Sequence, residues 1–369
     1  MAERPSREDG ASRLPARASL PRGSRLQGPV LGAAIGLVGV GLLAALLAPR
    51  GRAAPDGRRF EFLYSVRIGP LPAGDAPAEV FVPIASSDPQ QQVERVEIQA
   101  SLPGTEEREE TYGNRFWHAH LAHAAGRTID VRVRYVIVRS RFESGAIERA
   151  SARLDGSERR RLARFLGPNR RVPVGAPILR PILDEIQAAS RSPSAAARAR
   201  AIYDWVVDHV EYKKVGTGWG NGDTYWACNE RYGNCTDFHA LYISLARTLG
   251  IPARFDIGFP VPEGRRSGEV SGYHCWVQLW LPGVGWMPID ASEASKHPEL
   301  RESYFGAQAA DRIRLTTGRD LRLGRSHRGP ALNYFVYPYV EVGGRPWKGT
   351  IERRFSYRDL SSDRVAARS

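Results

Sequence analysis

Apolar and polar positions alternate with a period of two around residue 60. Phe60, Phe62, Tyr64, Val66 and Ile68 fall on one side, and Glu61, Leu63, Ser65 and Arg67 on the other, the signature of a half-buried strand. The pattern returns at Ile129, Val131, Val133, Tyr135 and Ile137, with Asp130, Arg132 and Arg134 opposite. Between them Val80 to Val82 and Val93 to Ile98 read as further strands, and Gly113-Asn114 reads as a turn. Short strands punctuated by turns predict a small antiparallel β-sandwich over residues 58–150.

The period then changes to that of a helix. Ile202, Trp205, Val206 and His209 recur at i, i+3, i+4 and i+7, with Ser192-Pro193 as N-cap and first helical residue. Phe238, Leu241, Tyr242, Leu245 and Leu249 define a second stripe, closed by Gly250 and Pro252. Asn234 stands where its N-cap belongs, with Asp237 three residues on, so Cys235 takes the first helical position. Between the helices Gly216 to Gly222 (G-T-G-W-G-N-G) lacks the Lys-Ser/Thr ending of a phosphate loop and reads as a flexible loop.

One run has no polar face at all. Val30 to Ala48 is 19 residues without a charge, close to the ~20 that span a bilayer core, and residues 1–29 before it form a basic tail expected to be disordered. The run exceeds an ordinary signal-peptide core of roughly 7 to 15 residues, so a transmembrane signal-anchor is favoured over a cleaved leader. Arginines flank it almost evenly, so the positive-inside rule does not orient it. The expectation is a single-pass, membrane-anchored protein whose body lies outside the cytoplasm.

Composition supports a folded body: 42% of residues are hydrophobic and 25% charged, which confines any disorder to the ends. The formal charge of +13 is carried almost wholly by arginine, with a cluster at Arg159, Arg160, Arg161, Arg164, Arg170 and Arg171 that reads as a solvated linker. No zinc-knuckle, RNP-like or helix-turn-helix signature accompanies it, so nucleic acid is not an expected partner. His118, His120 and His123 (H-A-H-L-A-H) have no acidic or cysteine neighbour in sequence and read as a hydrated strand edge, not a metal site. No EF-hand-like loop suggests calcium, and no cofactor is expected. The three cysteines, Cys228, Cys235 and Cys275, leave at least one thiol unpaired, and a bridge from Cys228 to Cys275 that spares Cys235 is one arrangement open to them.

Cys235 carries the chemistry. A helix N-terminus favours an anion, so a thiol there is biased toward the reactive thiolate, and the same amides can donate to an oxyanion. Such a nucleophile needs a base held by a third group. Gly272 to Trp280 reads as a strand with His274, Trp276 and Gln278 on one face and Cys275 on the other, where core packing is its expected role. After the turn at Pro282 to Gly285, Trp286 to Asp290 reads as the returning strand, and such a hairpin can set Asp290 beside His274. His239 reads as a supporting histidine. A second oxyanion donor is open among Trp226, Tyr225 and Asn229.

C-T-D-F-H-A-L-Y-I-S-L-A-R-T-L-G-I-P-A-R from Cys235, then Y-H-C-W-V-Q-L-W-L-P-G-V-G-W-M-P-I-D to Asp290, resembles the transglutaminase-like superfamily. Arg170 to Val174, the helix through Trp205, and the segments R-I-R-L-T-T-G-R-D-L and N-Y-F-V-Y-P-Y-V-E-V resemble its bacterial exported members. The resemblance implies an α+β fold with a papain-like catalytic domain over residues 170–357 and a Cys235–His274–Asp290 triad. It implies amide chemistry on a protein or peptide of the cell envelope, as a peptidase, amidase or acyltransferase. A catalytically silent scaffold with the same fold is the alternative.

Overall fold

The computed structural model describes residues 57–360 except 146, 148–149, 151–152, 190–191 and 193. The basic tail and the apolar run Val30 to Ala48 lie outside the described residues, among which no helix is long and apolar enough to cross a membrane.

Seven strands come first: β1 (Arg58–Ile68), β2 (Ala78–Ile84), β3 (Gln91–Ala100), β4 (Thr105–Arg108), β5 (Arg115–Leu121), β6 (Ile129–Arg139) and the short β7 (Phe142–Glu143). A mainly helical stretch follows: α1 (Gly156–Arg161), α2 (Arg180–Ala189), α3 (Ala195–His209), β8 (Glu211–Tyr212), α4 (Thr224–Glu230), β9 (Tyr232–Gly233) and α5 (Cys235–Thr248). The chain then returns to strands β10 (Ala253–Pro260), β11 (Ser267–Val270), β12 (His274–Leu281) and β13 (Gly285–Ile289), helix α6 (Ala291–Lys296), and β14 (Ala307–Gln308), β15 (Arg312–Thr317), β16 (Tyr339–Val342), β17 (Arg345–Pro346) and β18 (Ile351–Asp359).

The alternation in β1 sets its faces as expected. Phe60, Phe62, Tyr64, Val66 and Ile68 are all buried, and the residues between them are not. Both large sheets, however, take strands from far along the chain. One runs β11-β18-β1-β6-β3, with Tyr64 opposite Val133 on one side and Phe355 on the other; the second runs β17-β16-β2-β5-β4. Residues 58–150 therefore do not close the sandwich alone; residues 267–270 and 339–359 complete it. A third sheet, β13-β12-β10-β15, carries His274, and Phe259 of β10 stacks on Phe62 with ring centroids 5.5 Å apart. Most buried side chains of these three sheets and of the helices join one hydrophobic cluster, while Phe81 and Phe116 belong to a smaller second one.

Helix α5 packs between that sheet and the other helices. The stripe through Phe238 and Leu241 predicts one buried face, yet every residue from Cys235 to Arg247 is buried. Sheet strands β10 and β12 cover one side and helices α3, α4 and α6 the others, so its polar residues need internal partners. Arg247 donates to the carbonyls of Ala253 (3.0 Å) and Gly167 (2.7 Å), and Thr224 and Ser244 pair at 2.8 Å. Helix α3 begins later than expected, with Ser194 rather than Ser192 in the N-cap position.

The histidine run also differs from expectation. His118 is buried, and its ring nitrogens face Glu107 at 2.8 Å and Glu79 at 2.7 Å, while His120 faces Glu79 at 2.8 Å. Strand β5 lies between β2 and β4, so the acidic partners arrive across the sheet instead of along the sequence.

Candidate active site

Cys235 opens α5 as its cap residues require. Asn234 is extended (φ −101°, ψ −171°), and its side-chain oxygen accepts from Thr236 N at 2.8 Å. Asp237 reaches back to accept from Asn234 N at 3.0 Å, completing a reciprocal cap in which such contacts contribute ~1 kcal/mol. Gly233 makes the close approach possible, because a Cβ there would fall 2.3 Å from the Asp237 carboxylate. The Cys235 N–H is among the first-turn groups that no preceding helical carbonyl can reach.

Asp237 has a second task. Its carboxylate also accepts from Gly220 N at 2.6 Å and Gly222 N at 2.9 Å, which ties the glycine-rich loop to the helix start. From the other side Arg319 donates to Gly222 O at 3.0 Å, Tyr334 to Gly220 O at 3.1 Å and Asn333 to Asn221 O at 2.6 Å. The expected flexible loop is instead clasped at consecutive peptides. A Cβ on Gly218, which has φ +107°, would lie 2.2 Å from the Trp226 ring, so glycine is needed there for both conformation and space.

His274 begins β12 and meets Cys235 from the strand's end. Asp290 does not sit on the returning strand but just past it, as the N-cap of α6, where Oδ1 accepts from Glu293 N at 3.1 Å and Ser292 Oγ at 3.0 Å. Its Oδ2 pairs with His274 Nε2 at 2.7 Å and accepts from Arg312 at 3.1 Å. Nε2 is thereby committed, and the ring's hydrogen bond to the Cys235 thiol falls to Nδ1. All three candidate residues are thus brought together and buried. Arg312 also lies over Trp276, 5.1 Å from its ring centroid, which fixes the guanidinium from a second direction.

Cys275 departs from its expected place. Its thiol lies beside that of Cys235, near enough to lower it, and 3.4 Å from His239 Nδ1. Cys235 and His239 both belong to α5, so the Cys275 side of β12 is the side that meets the helix, and His274 reaches the thiol from the edge. None of the three cysteines is disulfide-bonded, so the Cys228–Cys275 bridge is not formed.

These contacts set the charges. Burial pushes the Cys235 thiol up, but hydrogen bonds from Cys275 and His274 and the imidazolium charge outweigh it and bring the pKa down to about 5. Burial likewise opposes charge on His274, yet the Asp290 carboxylate and the neighbouring thiolate raise it to about 10. Asp290 is held far below the ordinary carboxylate range despite burial, by His274 first and then Arg312. Burial drives His239 down to about 3, so it stands neutral, and the Cys275 thiol is pushed far up, first by burial and then by its anionic neighbour. Near neutral pH the site is a thiolate–imidazolium pair.

Ligand atoms of His274, Asp290 and Glu293 lie within 4.8 Å of one another, a spacing a metal ion could use. The Arg312 guanidinium on Asp290 and the His274–Asp290 bond already fill the inward-facing positions, so the donor set favours the ion pair over a metal. Of the candidate oxyanion donors, Trp226 is committed, since its indole N–H donates to Tyr232 O at 2.9 Å; Tyr225 and Asn229 are exposed. The Cys235 amide remains as the donor supplied by the helix end. Arg312, Arg319 and Tyr334 were visible in sequence only as parts of the segments R-I-R-L-T-T-G-R-D-L and N-Y-F-V-Y; nothing there gave their partners.

A thiol at a helix start, an imidazole on the adjoining hairpin and an aspartate behind it, set in an α+β frame, define a papain-like cysteine site. Residues 180–291 match the model of the transglutaminase-like superfamily. The chain is 26% identical over 216 residues to an uncharacterised protein of Haemophilus influenzae, covering 50% of this chain and 58% of that one. It is 26% identical over 144 residues to a protein-glutamine gamma-glutamyltransferase of Pseudomonas aeruginosa, covering 37% of this chain and 21% of that one. The matches thus span less than two thirds of these curated relatives. Among solved structures, a candidate cysteine protease of Cytophaga hutchinsonii superposes with a TM-score of 0.55 at 18% identity, covering 84% of this chain and 92% of that one. That likeness establishes the fold.

Proposed function

We propose that this protein is a cysteine-dependent enzyme that cleaves or transfers the acyl group of an amide in a protein or peptide through a Cys235 thioester. The observation that carries the proposal is the buried Cys235–His274–Asp290 chain, with the thiol lowered to about 5 and the imidazole raised to about 10. The Cys235 thiolate attacks the amide carbonyl, and the N–H groups at the start of α5 receive the oxyanion. His274 passes its proton to the departing nitrogen, while Asp290 holds the ring so that Nδ1 faces the sulfur. Water or an amine then releases the acyl group, with His274 taking its proton. The glutamyltransferase relative supports a protein amide as substrate class. The apolar run Val30 to Ala48 supports work at a membrane of the cell envelope.

The test is an amide-mimicking electrophile applied to wild type, Cys235→Ala and His274→Ala, with the adduct located by mass spectrometry. Labelling of wild type at Cys235 and its loss in both variants is expected. A Cys235 inert to a mild alkylator at pH 7 would leave a scaffold protein in its place.

A further inference from the structure

Part of the arginine cluster expected as a solvated linker is instead built onto the β12–β13 hairpin. Helix α1 is fixed by a reciprocal cap between Asp155 and Glu158, and Glu158 also accepts from the Trp280 indole N–H at 3.1 Å. Trp280 stands opposite Trp286 across the two strands, with ring centroids 5.6 Å apart. Arg161 lies over Trp280 at 4.4 Å and Arg254 of β10 over Trp286 at 4.5 Å, so two guanidiniums are stacked in place. A turn of 3-10 helix, Ala163–Phe165, then sets the Phe165 ring edge-on to Trp286, 5.0 Å away.

Arg161, Arg164, Arg254 and Arg314 line one cleft of about 390 Å³, with Phe165 and Trp286 as apolar wall. Arg314 is buried; Asp88 accepts from its Nε at 2.7 Å and Thr317 meets one Nη at 3.0 Å, which leaves the other Nη unbonded. The Arg254 Nε is buried without an acceptor, and the carboxylate beside this residue, Asp256, stands 3.5 Å from an Nη. Arg164 has no hydrogen bond or ion pair among the described residues. Four guanidinium charges thus meet two carboxylates, Asp88 and Asp256, an excess of at least two.

We propose that this cleft binds a phosphate monoester with an apolar organic group. A guanidinium presents paired N–H donors that fit phosphate oxygens, and a monoester of charge about −2 balances the excess where a single carboxylate would not. Phe165 and Trp286 receive the organic group. Arg161, Arg254 and Arg314 are held by their stacking and pairing partners before any ligand arrives, so little ordering is left for binding to impose. The cleft is remote from the triad. Arg254 stands opposite Gln278, four residues along β10 from the Gly258–His274 pair, or roughly 13 Å at the rise of a strand. Binding there needs no acyl chemistry at Cys235.

The test is calorimetric titration of the full chain, held in a nonionic detergent at pH 7.5, with phenyl phosphate, inorganic phosphate, benzoate and dioctanoyl phosphatidate. Phenyl phosphate is expected to bind saturably, tighter than inorganic phosphate and at least tenfold tighter than benzoate. Arg164→Gln is expected to weaken it about tenfold, the scale of one charge-assisted hydrogen bond. Arg170→Gln is expected to leave it unchanged, because Arg170 belongs to the same cluster but donates to Ala331 O at 3.2 Å and lies outside the cleft. Phosphatidate that competes with phenyl phosphate and binds tighter upholds the site as one for a lipid headgroup; weaker phosphatidate upholds it for a soluble ester. Equal affinity for benzoate, equal weakening by Arg170→Gln, or no saturable binding would overturn it.

Discussion

Arg312 donates to Asp290 Oδ2 at 3.1 Å, the same oxygen that His274 Nε2 engages at 2.7 Å. One buried carboxylate oxygen thus serves two cations, and Arg312 also holds Asp311 at 2.8 Å, so its removal leaves that carboxylate without its partner and Asp290 with one cation in place of two. Arg312→Gln is expected to cost ~3 to 5 kcal/mol in denaturant unfolding, as for a broken buried pair. Asp290→Asn is expected to lower Cys235 labelling at pH 6 by about tenfold or more, because the imidazolium that holds the thiolate loses its stabiliser. Unchanged labelling in Asp290→Asn would contradict the assigned role.

The pair of shifts at the triad dictates a bell-shaped pH profile. Thiolate forms as pH rises through about 5, and the imidazolium is lost through about 10, so activity rises across the first value and falls across the second. In Cys275→Ala the hydrogen bond that helps lower the Cys235 thiol is gone, and the acid limb, read by iodoacetamide rates against pH, is expected to move upward.

Asp237 holds three backbone N–H groups, two of them in the Gly216 to Gly222 loop. Asp237→Asn substitutes an NH2 for one acceptor and sets it against a donor, an expected loss of ~1 to 3 kcal/mol. Hydrogen exchange at Gly220 and Gly222 is expected to accelerate more than at the core of β1. Equal protection in wild type and variant would show that Arg319, Asn333 and Tyr334 hold the loop unaided.

His239 is buried neutral, with its pKa down at about 3 against an ordinary ~6.5. The unfolded chain binds that proton first, so this residue's contribution is intact above ~6.5 and is lost as pH falls toward 3. The stability difference between wild type and His239→Gln is expected to shrink over that window. A difference that stays flat would mean the ring is protonated in the folded state.

The elements that rest on local pattern were legible in the sequence. Alternation marked β1 and β6, and the Asn234–Asp237 cap with the Phe238–Leu245 stripe marked α5 and put Cys235 at its start. What escaped was contact made across sheets or between distant segments. The acidic partners of His118 come from β2 and β4, and the donors that clasp the glycine loop come from residues 319 to 334, neither near in sequence. Strand alternation placed Cys275 away from Cys235, but which face of β12 meets α5 is set by tertiary packing. The charge on Asp290 is balanced by Arg312, whose position in an Arg-rich chain carried no distinguishing mark.

The clasp on the glycine loop and the second cation on Asp290 both come from residues downstream of Cys235, and β1 waits for β18 to pair along its open side. A ribosome delivers the nucleophile well before it delivers Arg312, Arg319, Tyr334 or that last strand. The Cys235 thiol is therefore lowered only once Cys275 and His274, both downstream of it, have folded against it.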